Sequence, residues 1–297
     1  MANPTPITIL DGGMGHLLRR MGVKISGKVG SLERFLNVAT ANITNPLLVE
    51  RAHVDFLKAG AQIITTNSYA CVPNVLKETV GNKIGSTDYA ANKTTIKHQD
   101  LEKYIQAAGK CALNAKNTWN NNDTKFENIH DEKCKVAASI PPLNASYRYD
   151  LVESKEVLDK DYAFITKTIE PYVDIFLCET MSTIEEAVAA GTASSKFNKP
   201  VWISFTLSEY DTNLGDLRSG ESIIDAVKTC VEQIVGIYVY IYIYIYLFIL
   251  LTLIIIFVYT LANIYHYYVI VGIQFFPAKF KSNIMQLFLY RSNWYSN

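Results

Sequence analysis

Up to Gly236, short apolar runs alternate with longer stretches in which apolar residues recur at helical spacing, the pattern of a parallel α/β fold. Strands are expected at 7–10, 62–66, 135–139, 175–178 and 201–206, and helices at 46–59, 159–171 and 183–195. Strand starts recur every few tens of residues, as βα units require, so five units are visible and a sixth strand is due near 234–237. The stretch 80–130 departs from this rhythm. Its polar run at 117–125 has turn chemistry, so a helical connection enlarged by a surface loop is expected there.

After Gly236 the pattern changes. From 237 to 246 isoleucine and valine alternate with tyrosine, and an unbroken apolar run follows to Val258. Strict alternation is strand-like. The uncharged stretch 237–261 is also long enough to cross a bilayer, which takes about 20 residues, and its tyrosines suit an interfacial belt. A third reading lies in the DNA: a repeating TA dinucleotide translates as alternating Ile and Tyr, and the rest of the tail favours the residues of AT-rich codons. Translated intron sequence or a frame error would produce it. The expected division is therefore a body at 1–236 and a hydrophobic low-complexity tail at 237–297, with a candidate transmembrane segment at 237–261.

Composition narrows the class of protein. A chain of 297 residues is long enough for one α/β barrel or two ordinary domains. Lysine plus arginine and aspartate plus glutamate both number 28, so no global field points to nucleic acid. The last acid is Glu232, and beyond it the only formal charges are Lys279, Lys281 and Arg291. The first residues lack a basic segment followed by an apolar one, which makes a cytosolic body the default expectation. Five scattered cysteines, Cys71, Cys111, Cys134, Cys178 and Cys230, show no CxxC spacing, so neither a disulfide framework nor a local metal knuckle is expected.

In a parallel barrel or a doubly wound sheet, chemistry gathers at the carboxyl ends of the strands. Asp11 leaves the first strand into Gly12-Gly13-Met14-Gly15, where missing Cβ atoms let a ligand approach the backbone. Two blander readings compete: an acidic cap on the first helix, and a near miss to a dinucleotide fingerprint that lacks its third glycine. Glu179 follows an apolar strand and would either hold a ligand ammonium group at a cavity rim or favour a helix N-terminus through the dipole. His53, inside a helix, is expected to have a packing or surface role. Cys178 and Cys230 read as core thiols.

Taken in order, several blocks resemble the homocysteine S-methyltransferases. They are Ile9-Leu10-Asp11-Gly12-Gly13-Met14-Gly15, the stretch from Asn45-Pro46-Leu47-Leu48-Val49 to Thr65-Thr66-Asn67-Ser68-Tyr69, Ser139-Ile140-Pro141-Pro142-Leu143, Glu179-Thr180-Met181, and Pro200-Val201-Trp202-Ile203-Ser204-Phe205-Thr206 with Leu217-Arg218-Ser219-Gly220-Glu221. The resemblance implies a (β/α)8 TIM barrel, here incomplete at about five to six βα units, in a cytoplasmic protein. It implies transfer of a methyl group from a sulfonium donor, S-methylmethionine or S-adenosylmethionine, to homocysteine to give methionine. It also implies Asp11 and Glu179 as contacts of the homocysteine amino group, with Gly12 and Asn67 lining that site. The family uses zinc on three cysteine thiolates to keep the homocysteine sulfur deprotonated. The first of those cysteines follows the sixth strand and the other two follow the eighth. This chain has no cysteine after Cys230, so the zinc ligands are absent and an inactive product is expected. The alternative is a membrane-anchored remnant or binding protein without catalysis.

Overall fold

The computed structural model describes residues 8–28, 31–80, 98–121, 133–208, 216–234, 239–243, 268–275 and 288–290. Helices α1 (Met14–Arg20), α2 (Leu32–Thr44) and α3 (Pro46–Lys58) precede strand β1 (Ile63–Thr65). Next come α4 (Pro73–Val80), α5 (His98–Asn121), β2 (Lys135–Ile140), α6 (Lys155–Ile169), β3 (Ile175–Met181), α7 (Ile184–Ser195), β4 (Val201–Phe205) and α8 (Ile223–Gln233). Strands β1 to β4 lie side by side in chain order, all parallel. Leu10 adds a single parallel bridge to Ile63 on the outer edge of β1. Parallel neighbours need a crossover, and the helices between the strands supply it.

Side-chain alternation sorts the sheet into two faces. Ile64, Val136, Ala138, Ile140, Phe176, Cys178, Val201, Ile203 and Phe205 join the large cluster that includes the helices. The alternate positions Ile63, Ala137, Ile175, Leu177 and Trp202, with Leu10 against them, form a second cluster on the opposite face. Burial on both faces is why these strands read as nearly continuous apolar runs. Small residues on α7, among them Ala187, Ala190, Gly191 and Ala193, let that helix lie close against the sheet, and a Cβ at Gly191 would collide with Ile234. Thr183 caps α7 by accepting from the amide of Glu186 at 3.2 Å.

Several boundaries differ from the sequence expectation. The first strand is reduced, among the described residues, to the Leu10 bridge, and Ile7 lies outside them. Residues 117–121 of the polar run are helical, the last turn of α5. There Asn120 exchanges hydrogen bonds with the backbone of Cys134 at the entry to β2, so docking of the helix end overrides the local preference of asparagine for turns. The expected loop at 122–132 lies outside the described residues. β3 runs past Cys178 to Met181 and takes in Glu179.

The sixth strand, expected near 234–237, falls mostly outside the described residues. Ile234 caps α8, residues 235–238 lie outside the described set, and β5 (Val239–Ile243) runs beside β4 and α8. β5 pairs antiparallel with β6 (Tyr268–Phe275), which pairs antiparallel with β7 (Phe288–Tyr290). The described part of the candidate membrane segment at 237–261 is thus a strand, as Ile/Tyr alternation favours, and among the described residues no helix is long and apolar enough to cross a membrane. The remainder of that segment lies outside the described residues.

Candidate functional site

The apolar lower half of the inner face gives way, towards the carboxyl ends of the strands, to polar residues at the same phase: Thr65 on β1, Ser139 on β2, Glu179 on β3 and Ser204 on β4. Asp11 joins them because its amide bonds the carbonyl of Ile63 at 3.1 Å, one residue beyond the Leu10 bridge. Its carboxylate accepts from the Thr65 amide and from Thr65 Oγ1, both at 2.7 Å. Asp11 is buried at 6% exposure, and burial pushes its pKa up to about 7 against those two bonds, with the charge of Glu179 adding to the rise. The helix-cap reading fails here, since the N-cap of α1 is Gly13 and no side chain caps that helix.

Glu179 sits inside a β-bulge. Cys178 pairs with Ile203 and Met181 with Phe205, so Glu179 and Thr180 together face the single residue Ser204. The extra residue keeps Glu179 on the inner face and returns Met181, which is fully buried, to the helix side. Thr180 has a φ of 67°, rare for a β-branched residue and costing about 1–3 kcal/mol. Ser139 Oγ donates to Glu179 Oε1 at 2.5 Å. Burial lifts the Glu179 pKa to about 7, and the Ser139 hydroxyl opposes the rise. No helix begins at Glu179, as α7 starts five residues later, so the helix-dipole reading also fails.

Tyr69 closes one side. Its hydroxyl meets Ser146 Oγ at 2.5 Å, and burial together with the Glu179 charge raises its pKa. Tyr147, the next residue, has a φ of 65° and carries the Arg218 guanidinium over its ring at 4.5 Å. Asn67 reaches back to α2. Its amide nitrogen donates to the Val38 carbonyl at 3.1 Å and to Asn42 Oδ1 at 2.9 Å, and its backbone carbonyl accepts from Asn42 at 2.8 Å. The amide donors of Asn67 therefore tie α2 to the end of β1. Gly12 is half-buried beside Asp11. Tyr69, Ser139 and Ser204 fall in the strand-end segments expected to carry chemistry, although no individual role was expected of them, and Thr65 was not among those segments. The available signal was a polar residue at inward phase at the carboxyl end of each apolar strand.

The family's zinc does not fit these residues. All five cysteines are free and buried in separate elements, and burial pushes each thiol up to about 12, which opposes the thiolate that zinc requires. Among the described residues no group of three or more His, Cys, Asp or Glu side chains could hold a metal ion. His53 packs inside α3 at 0% exposure with neither ring nitrogen bonded, and burial lowers its pKa to about 3. Cys178 and Cys230 are core thiols, the former against Ser194 Oγ at 3.6 Å.

Two carboxylates at strand ends, held by a threonine and a serine above an apolar floor, can be compared with known sites. The family model for homocysteine S-methyltransferase matches residues 8–242. The chain belongs to this family. Homocysteine S-methyltransferase 1 of Brassica oleracea var. italica is 26% identical over 237 residues, 74% of this chain and 63% of that protein. Homocysteine S-methyltransferase of Escherichia coli K12 is 27% identical over 232 residues, covering 74% and 64%. The chain thus spans less than two thirds of these relatives. The metallated homocysteine methyltransferase MmuM from Escherichia coli superimposes with a TM-score of 0.62 at 22% identity, over 79% of this chain and 74% of that one, a likeness of fold. The family match in this homocysteine S-methyltransferase family member ends at Tyr242, inside β5.

Proposed function

We propose that this chain is an incomplete homocysteine S-methyltransferase barrel that binds homocysteine through its amino group and does not transfer the methyl group. The observation that supports it most is the pairing of Asp11 and Glu179 on one face of the sheet, each held by a hydroxyl donor from the neighbouring strand. An ammonium group placed between two buried carboxylates relieves their mutual repulsion and the penalty of their burial. The thiol end of the ligand would lie over the apolar floor of Leu177 and Trp202.

Activation is the missing half. A thiol near pKa 8.5 is a weak nucleophile at neutral pH, and no residue described here supplies a metal site to lower it. The methyl donor of the family reaction, S-methylmethionine or S-adenosylmethionine, would have no thiolate to alkylate. The tail from 237 would replace the barrel units that carry the zinc cysteines, as translated intron or shifted frame. Continuous cDNA reads through Gly236–Tyr246 would sink that origin.

Isothermal titration calorimetry of the full chain with L-homocysteine, with and without added zinc, tests the function. We expect binding that is independent of zinc and is lost in Asp11→Asn and Glu179→Gln, and no methionine from S-methylmethionine. Absence of binding overturns the recognition half. Methionine formation overturns the other.

A further inference from the structure

Ser204 is the only residue of β4 opposite the bulge, between Ile203 and Phe205 of the paired register. Its Oγ accepts the Thr180 amide at 3.1 Å, a backbone donor that the bulge removes from the regular ladder. The Thr180 side chain neighbours Tyr69, which is held by Ser146. A left-handed threonine reverts to extended backbone unless its surroundings hold it. Reversion would carry the bulge away and swing Glu179 out of phase with Ser139, Thr65 and Asp11. Ser204 is itself buried, at 7% exposure, on the same inner face as those residues.

We propose that Ser204 is the positioning residue that fixes the Glu179–Thr180 bulge and so aims the Glu179 carboxylate at the ligand ammonium group. The consequence for ligand rests on the reading of the site given above, whereas the positioning of Glu179 does not. Two separate readouts on the full chain keep them apart: the titration of Glu179, followed by carboxyl 13C NMR and assigned by difference from Glu179→Gln, and calorimetric affinity for L-homocysteine.

In Ser204→Ala, the Glu179 midpoint is expected to fall from about 7 towards the ordinary 4.5, because the carboxylate leaves its buried position. Homocysteine affinity should fall by about tenfold, the weight of one lost hydrogen bond. Adding Thr180→Gly to Ser204→Ala removes the steric cost of the left-handed conformation and should restore both readouts most of the way. A role confined to stability would not respond in this manner. Ser204→Ala with an unmoved midpoint overturns the proposal, as does a double variant that restores nothing. If Ser204→Ala does not fold, Ser204→Cys replaces it, its thiol being a weaker acceptor. A downward shift in the Cys variant supports the proposal and an unmoved midpoint overturns it. Failure of the wild type to bind homocysteine sinks the ligand reading, and the NMR arm still decides the positioning.

Discussion

The lower and upper halves of the sheet's inner face are built on the same strands yet solve opposite problems. Ile63, Ala137, Ile175, Leu177 and Trp202 exclude water and have no polar demands to meet. Two residues further along β1, β2 and β4, and after Leu177 on β3, the same phase carries Thr65, Ser139, Ser204 and Glu179, each of which must find partners. The lower half contributes stability, and the upper half uses some of it to keep two carboxyls in an unfavourable setting. This division of labour is general for sites raised on rigid strands.

The sharpest break of that comparison is Trp202→Ala. It should lower unfolding free energy by about 3–5 kcal/mol, as large-to-small core changes do, in urea denaturation followed by circular dichroism. Glu179→Gln should do the reverse: stability at pH 8 unchanged or slightly higher, and homocysteine affinity down by at least about tenfold, since an ion pair with the ammonium is lost.

A pH series sharpens the contrast next. Asp11 and Glu179 hold their protons up to about 7 when folded, against 3.8 and 4.5 ordinarily. Between those values the folded chain binds more protons than the unfolded one, so stability should fall as pH rises from about 4 to about 7 and level off above. The slope should diminish in Asp11→Asn and again in the double variant with Glu179→Gln. Homocysteine affinity should run the other way, rising through pH 7 as the carboxyls ionise. The smallest effect belongs to the thiols. Ellman's reagent at pH 8 should find almost no fast-reacting cysteine in the native chain and five after denaturation, because every thiol is buried and raised to about 12.

Much of this was legible in the sequence for a physical reason. Apolar strands buried on both faces leave unbroken runs, and β1 to β4 were each located to within a few residues from them. Asp11 and Glu179 were visible as acids beside such runs. The bulge was not, because Thr180 is an unremarkable residue with a left-handed φ whose amide is bonded by Ser204, distant in sequence. The partners of Asn67 were hidden for the same reason: Val38 and Asn42 lie on α2, and periodicity says nothing about which helix a side-chain amide will reach. The helical end of α5 was hidden by asparagines that only the Cys134 backbone makes acceptable.

The order of the parallel strands also sets a clock. Asp11 must wait for Thr65, 54 residues later, before its carboxylate has a donor, and roughly 170 residues for Glu179 to leave the ribosome. At translation rates of about 5–20 residues per second, that interval is on the order of ten to thirty seconds. During it, Asp11 and the apolar strand edge beside it are exposed to whatever binds nascent chains.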